Sequence, residues 1–341
     1  MTEPDTTADG PRPPVRGTAS AVAHPNVALV KYWGKRNPTL NIPATGSISA
    51  TLGGFASRTR VTFFEEAGPD RIQLNGQEAD SGTGLRICRF LDLVRREAGF
   101  AGAAEVVSDN DFPTAAGLAS SASGFAALAL ASCRALRLDP SPGELSILAR
   151  RGSGSAARSL HGGFVELKVG SRADGLDTVA VQLAPEAHWD LRVVVAITRE
   201  EPKEISTTEG MVQTADTSPY YPAWVSSHEP DLGQARQAIL ARDIEALGQV
   251  AECSTLKLHG AILAARPGVI YWNGATVEVL TAIRQLRRKG LPVFFTVDAG
   301  PQVKVFCLPE VVAQVEHVVA AIPGVRRVLV SGMGGAAQGS P

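Results

Sequence analysis

The sequence predicts an α+β protein of two domains that meet near residues 190–200. Three observations carry that expectation. At 341 residues, 44% apolar and 20% charged, the chain can fill one large or two moderate domains and is too apolar to stay disordered. Both halves mix short β-branched runs with stretches whose apolar residues recur every three or four positions. Between the halves, the very apolar run Asp190–Thr198 gives way to a polar stretch, Arg199–Pro222, with three prolines and little periodicity. Such a stretch marks a domain hinge or a functional loop.

Met1 to about Gly17 is rich in Pro, Thr, Asp and Arg and is expected as a flexible tail, because it cannot bury enough surface to offset chain entropy. Thr18–Lys31 carries short apolar stretches, and Ile48–Leu52 and Ser57–Phe64 are expected as strands joined by a turn at Gly53-Gly54. Thr83–Ala98 sets Leu85, Cys88, Leu91, Val94 and Ala98 on one helical stripe. Ala115–Leu136 reads as a longer helix whose small residues let neighbours come close, so it should be central and buried. Phe164–Val169, Thr178–Leu183 and Asp190–Thr198 return to strand composition, the last apolar on both faces. Helical patterns follow at Asp231–Leu240, Asp243–Ala265 and Gly274–Lys289. Strands at Val293–Val297 and Val303–Cys307, a helix at Val311–Ala321 and a strand at Val325–Val330 complete the order. Ser331-Gly-Met-Gly-Gly335 reads as a loosely ordered tail, and no repeat of fixed period is visible.

Composition excludes several classes of function. With 33 Lys+Arg against 34 Asp+Glu, the formal charge of −1 offers no global field for a nucleic-acid backbone or an anionic membrane, so any anion must be met by a local site. No apolar run is long enough to span a bilayer, and the first residues lack a signal-peptide pattern, so the chain is expected in the cytoplasm. The four cysteines, Cys88, Cys133, Cys253 and Cys307, are far apart in apolar neighbourhoods and are expected as reduced core residues. The six histidines show no metal-ligand spacing, and none belongs to a serine-hydrolase pattern.

Chemistry concentrates in four clusters. From Asp111 to Gly124 a turn with Pro113 and Gly117 runs through hydroxyl residues into the long helix, offering free backbone N–H groups at a positive helix end beside Ser120, Ser121 and Ser123. This suits a phosphate, although small residues also serve tight helix packing, and no Walker lysine follows. Arg150–Arg158 joins three arginines to Gly152-Ser-Gly-Ser155. A helix-like segment precedes it, so a dinucleotide fingerprint is rejected. An anion site in which Arg158 forks onto a carboxylate or phosphate beside Ser153 and Ser155, or a solvated loop, remain as readings. Val30–Arg36 ends an apolar strand with Lys31, Tyr32, Trp33, Lys35 and Arg36, and Thr296–Pro301 places Asp298 directly after another. A carboxylate there is a turn cap or, beside cations, a base or orienting group.

Taken together, the clusters resemble the mevalonate diphosphate decarboxylases of the GHMP kinase superfamily, over about Ala21 to Phe306. Ala23-His-Pro-Asn-Val-Ala-Leu-Val-Lys-Tyr-Trp-Gly-Lys-Arg36 is similar to the family's N-terminal signature, and Phe112–Gly124 to its ATP-phosphate loop. Arg151-Gly-Ser-Gly-Ser-Ala-Ala-Arg158 is similar to its substrate loop, and Asp298-Ala-Gly-Pro301 to the stretch with its catalytic aspartate. The resemblance implies a two-domain GHMP kinase fold, with a tail at 1–17, an N-terminal domain at 18–190, a ferredoxin-like C-terminal domain at 191–341 and an active site in the cleft between them. It implies conversion of mevalonate 5-diphosphate to isopentenyl diphosphate, carbon dioxide and phosphate with ATP and Mg.

The implied catalytic residues are Asp298, which orients or deprotonates the C3 hydroxyl, Lys31, which supports it, and Arg158, which clamps the carboxylate. Tyr32, Lys35, Ser153, Gly154, Ser155, Thr207 and Thr208 would bind the phosphorylated substrate. Pro113, Gly117, Leu118, Ala119, Ser120, Ser121 and Ser123 would cradle ATP, with Mg arriving on the nucleotide near Ser120 rather than in a protein cage. A homodimer without nucleic-acid or membrane partners is implied, as is a lid at 199–222. Three departures stand out. Ala44-Thr-Gly-Ser-Ile-Ser49 replaces the family's Asn-Ser-Ser-x-Ser, Gln302 replaces an Asn, and Thr208 in Lys203–Met211 stands where bacterial members often carry a diphosphate-facing arginine. Other members have threonine at that last position, so it bears on the phosphate count alone and leaves a mevalonate 5-phosphate decarboxylase as the nearest alternative; a mevalonate 3-kinase, against which Asp298, Lys31 and Arg158 together argue, and a catalytically silent ligand-binding protein are the others.

Overall fold

The computed structural model describes residues 14–112, 120–201 and 203–340. The first half runs β1 (Val15–Ala23), β2 (Asn26–Val30), β3 (Lys35–Asn37), β4 (Ile42–Pro43), β5 (Ser47–Thr51), β6 (Ser57–Phe64), β7 (Arg71–Leu74) and β8 (Gln77–Glu78). It continues with α1 (Ser81–Ala98), β9 (Ala104–Asn110), α2 (Ser120–Ala135), α3 (Pro142–Gly152), a short 3-10 turn at Ala156–Leu160, β10 (Phe164–Leu167) and β11 (Ala180–Ala184). The second half runs β12 (Arg192–Ile197), α4 (Thr207–Thr217), α5 (Tyr221–Ser226), α6 (His228–Ala241), α7 (Ile244–Leu263) and α8 (Gly274–Arg288). It closes with β13 (Val293–Val297), β14 (Val303–Cys307), α9 (Val312–Ala320), β15 (Arg327–Ser331) and β16 (Gln338–Ser340).

Alternation along β1 turns Ala19, Ala21 and Ala23 inward, and these small residues let α2 lie close against the sheet ordered β16-β1-β6-β9-β7-β8. At the near end of that contact a Cβ on Gly17 would fall 2.1 Å from the Ala135 carbonyl oxygen, so only glycine fits there. As expected, α2 is central: Ala122, Ala126, Ala127, Ala129 and Ala131 are buried. The α1 stripe is rotated from the expected one, with Ile87, Phe90, Leu91 and Val94 buried and Leu85 exposed.

A second sheet, ordered β11-β10-β5-β2, and a third, ordered β13-β14-β12-β15, share a core with α6 and α7. The third sheet is antiparallel throughout. Its order and its α8 and α9 crossovers make the ferredoxin-like pattern. Strand parity divides its side chains between two cores. Val194, Ala196, Phe295, Val297, Val303 and Val305 meet α8 and α9, whereas Val193, Val195, Phe294 and Phe306 face α7 and the second sheet. The second face carries the site.

Several expectations need correction. The expected turn at Gly53-Gly54 is present, but the strands it joins, β5 and β6, lie in different sheets. β1 begins at Val15, inside the expected tail. The polar stretch after Arg199 contains α4 and α5. Ser206 and Glu209 form a capping box on α4, whose Met211 packs with Trp33, Trp224 and Tyr271. The C-terminal glycines are not a loose tail: Gly334 N–H donates to Thr51 O at 2.8 Å, and Gly163 N–H donates to Gly334 O at 2.8 Å. A Cβ on Gly334 would sit 2.7 Å from the Gly53 nitrogen, so these glycines permit backbone-on-backbone packing. The chain then pairs β16 with β1, returning the last residues of the expected 191–341 unit to the first sheet. Of the cysteines, Cys253 is exposed and Cys88 half-buried, so the thiols are not all core residues.

Candidate active site

The site forms where β2 and β13 both end against α7. The Ala28 carbonyl accepts from Thr296 Oγ1 at 2.9 Å and from Lys31 Nζ at 2.8 Å, so one backbone oxygen ties the strand before Lys31 to the strand before Asp298. The Lys31 N–H donates to Ser254 Oγ on α7 at 2.9 Å. Lys31 Nζ then reaches Asp298 Oδ1 at 2.6 Å, and Lys304 Nζ lies 3.3 Å from Oδ2. Both lysine side chains are 2% exposed, while that of Asp298 is 29% exposed. Asp298 is therefore held by cations rather than used as a turn cap.

Burial works against the Asp298 carboxylate, yet Lys31 and then Lys304 outweigh it and hold the group well below the usual carboxylate range. Burial also pulls Lys31 down from 10.5 to about 8, which Asp298 only partly offsets. His259 of α7 accepts from Trp272 Nε1 at 3.2 Å, and burial followed by Lys31 lowers it to about 3. It is neutral at physiological pH.

Arg158, 3% exposed, follows α3 in the short 3-10 turn. Its Nε donates to Asn26 Oδ1 at 3.1 Å and its Nη1 to Ser47 Oγ at 2.6 Å. Nη2 has no protein partner among the described residues, which leaves an edge for a carboxylate. Burial lowers Arg158 to about 10, opposed by Asp298, so the guanidinium stays charged. Arg150 differs from the expected anion-site arginine: it is wholly buried and donates to Gly175 O at 3.0 Å and Thr178 O at 3.2 Å, bracing the fold.

Ser153 ends α3, and its hydroxyl lies 3.4 Å from that of Ser155. A Cβ on Gly154 would come 2.8 Å from the Tyr32 hydroxyl, so the absence of a side chain admits the phenol. Burial pushes that phenol up to about 12, leaving it a neutral donor. Lys35, half-buried in β3, is lowered by burial and by Arg86. Thr207 and the exposed Thr208 open α4. Lys203 Nζ bridges Thr207 Oγ1 at 3.0 Å and the Ala299 carbonyl at 2.7 Å, joining the start of α4 to the Asp298 loop.

Pro113, Gly117, Leu118 and Ala119 lie outside the described residues. Ser120 and Ser121 open α2, whose first turn carries no acidic residue, so its positive end suits an anion. Ser123 is turned elsewhere: wholly buried, its hydroxyl meets Ser57 Oγ at 2.7 Å. Among the described residues no group of three or more His, Cys, Asp or Glu side chains could hold a metal ion. The helix end and hydroxyls fit a nucleotide that carries its own magnesium.

Lys304 and His259 were missed from sequence. A lysine inside an apolar strand, Val303-Lys-Val-Phe-Cys307, was the available signal. Gln302, at the exchanged position, accepts from the Thr198 N–H through Oε1 at 2.6 Å in the buried base of the Asp298 loop.

A profile described as diphosphomevalonate decarboxylase-like N-terminal domain matches residues 23–180. One described as mevalonate 5-diphosphate decarboxylase C-terminal domain matches residues 193–329. Diphosphomevalonate decarboxylase of Bos taurus is 37% identical over 308 residues, covering 85% of this chain and 76% of its own. That of Candida albicans is 35% identical over 303 residues, covering 85% and 84%. Mevalonate diphosphate decarboxylase from Staphylococcus aureus has a TM-score of 0.90 at 36% identity, covering 95% of this chain and 98% of that one. A related chain, MDDEF in complex with MVAPP, AMPPCP and magnesium, scores 0.89 at 37% identity, covering 95% and 99%. Two matched domains in chain order, spanning most of the sequence, show that this chain belongs to the diphosphomevalonate decarboxylase family.

Proposed function

We propose that the chain catalyses ATP-dependent decarboxylation of mevalonate 5-diphosphate to isopentenyl diphosphate, phosphorylating the C3 hydroxyl to make it a leaving group. The observation that carries this reading is the partly exposed Asp298 carboxylate, held between Lys31 and Lys304 and within electrostatic reach of Arg158. ATP with magnesium supplies the phosphoryl group and charge neutralisation, and the start of α2 with Ser120 is the fitting place for its phosphates.

Asp298 is ionised at neutral pH and accepts the hydrogen bond of the C3 hydroxyl, turning its oxygen toward the phosphoryl donor. Its low basicity makes orientation its main contribution, and proton uptake becomes favourable only as the new bond forms. Arg158, braced by Asn26 and Ser47, holds the substrate carboxylate at a fixed distance. Departure of phosphate leaves C3 electron-poor, so the electrons of the bond to the carboxylate carbon move toward it and carbon dioxide leaves. Tyr32, Lys35, Ser153, Ser155 and the amides around Gly154 bind the distal phosphates as neutral and cationic donors. Thr207 and Thr208 complete that end from α4.

Purified protein with Mg-ATP and either mevalonate 5-diphosphate or mevalonate 5-phosphate tests the reading, with ADP and carbon dioxide measured together. Equal ADP and carbon dioxide with the diphosphate is expected. The same products only with the monophosphate, or ADP without carbon dioxide, would overturn it. No helix among the described residues is long and apolar enough to cross a membrane. A cytoplasmic homodimer is the form in which we expect the enzyme to work, and light scattering at twice the chain mass checks the dimer.

A further inference from the structure

We infer that Lys304 is a positioning residue for this reaction: from the buried strand β14 it holds the second oxygen of Asp298, so that the carboxylate presents one fixed edge to the substrate hydroxyl. The kinetic part of the inference rests on the proposed function; the structural part does not. Lys304 sits in the middle of β14, a strand buried along its whole length. Val303, Val305 and Cys307 fill the core under α8 and α9, while Lys304 shares the opposite face with Phe306. A lysine in such a place is disfavoured unless a charge meets it. Its Nζ finds Asp298 Oδ2 at 3.3 Å and, more weakly, the Gln302 carbonyl at 3.5 Å.

The geometry is that of a two-sided clamp. Lys31 comes from the end of β2 in the second sheet and takes Oδ1 at 2.6 Å, whereas Lys304 comes from β14 in the third sheet and takes Oδ2. Lys304 also pairs in register with Thr296, the residue whose hydroxyl anchors the Asp298 strand to Ala28. Lys31 makes the shorter of the two contacts. The second, approaching from another direction, removes the freedom of the carboxylate to swing about its last torsion. The other charged or titratable groups facing Asp298 are Lys203 from the segment before α4, Arg158 from the turn after α3 and His259 from α7, the last kept neutral by burial and by Lys31.

The test compares wild type with Lys304→Met, which keeps the length of the side chain in an apolar strand, and with Lys304→Arg, which keeps the charge. Circular dichroism and thermal melting establish that each variant is folded. In Lys304→Met, kcat should fall about 10- to 100-fold while KM for the substrate stays within about twofold, because Lys304 does not touch substrate. Loss of a cation makes the carboxylate easier to protonate, so the acid limb of kcat should move to higher pH, and Lys304→Arg should return it toward wild type. A merely structural role would lower the melting temperature without moving that limb. In the resting protein, the 13C carboxyl signal of Asp298, identified by its loss in Asp298→Asn, should titrate at higher pH in Lys304→Met than in wild type. A folded Lys304→Met protein with wild-type kcat and an unmoved acid limb, or with the same Asp298 titration, overturns the inference. A wild-type protein that releases no carbon dioxide sinks the assigned reaction instead, and the titration still decides the role of Lys304.

Discussion

Replacing Asp298 by Asn removes the anion that Lys31 and Lys304 share, and the effect on stability should depend on pH in a defined direction. Lys31 titrates near 8 rather than 10.5 even with Asp298 present. Because the folded value is depressed, the cost of charging it is absent above the unfolded value and accumulates as pH falls from 10.5 toward 8. Below that it is constant, on the order of 3 kcal/mol. Without the carboxylate the depression deepens, so the cost continues to grow below pH 8. Opposite charges 4 Å apart attract by about 4 kcal/mol at an effective dielectric of ~20. The 29% exposure of the Asp298 side chain reduces that to about 2 kcal/mol. Urea unfolding at about pH 9.5 and about pH 6.5 should therefore find the gap between wild type and Asp298→Asn wider at the lower pH by about 2 kcal/mol. Titration of Asp298 itself lies far below this window and does not interfere. Carbon dioxide release should fall by about 10²- to 10⁴-fold in the same variant. A gap that is equal at the two pH values, or wider at the higher one, would refute the coupling.

Further outcomes follow from the same geometry. Arg158→Lys keeps the charge but loses the fork that Asn26 and Ser47 hold, so kcat/KM should drop by about 10- to 100-fold, with about 1–3 kcal/mol of stability lost to the unpaired buried partners in denaturant titrations. Gly154→Ala places a Cβ 2.8 Å from the Tyr32 hydroxyl, so KM for the diphosphate substrate should rise more than kcat falls, and adding Tyr32→Phe should recover part of the fold's tolerance but not the binding. Ser206→Ala removes the capping box at the start of α4 and should cost about 1 kcal/mol, read as faster amide exchange over residues 207–217.

The strand ends that carry the site were readable because they are abrupt. Val30 to Lys31 and Val297 to Asp298 both pass from a buried apolar run to a charge, and charge at such a junction needs either solvent or a partner. The Arg150–Arg158 cluster was readable as an anion site only in part, since composition cannot separate Arg158, which lies within electrostatic reach of Asp298, from Arg150, which braces carbonyls inside the fold. α4 escaped notice because its stability comes from a cap and from Met211 packing against Trp33 and Tyr271, not from a sustained apolar stripe. The C-terminal glycines read as looseness, although their use is close approach to Gly53 and Gly162, which depends on segments far away in the chain.

Most of the longer strands and helices, the alanine-rich central helix, the charge balance and the four motif clusters were determined by the sequence itself, because hydrophobic period, small-residue content and local charge are properties of neighbouring residues. Tertiary structure alone decided that Lys31 and Lys304 grip one carboxylate from two sheets, that His259 stands neutral beside them, and that β16 closes on β1. Lys304 reaches Asp298 across the β13–β14 hairpin, but the grip of Lys31, the place of His259 beside it and the closure of β16 depend on which strand face meets which neighbour across 200 residues or more of chain, as Ala28 meets Thr296. Burial of a charge acquires its meaning only when the partner on the other strand is in place.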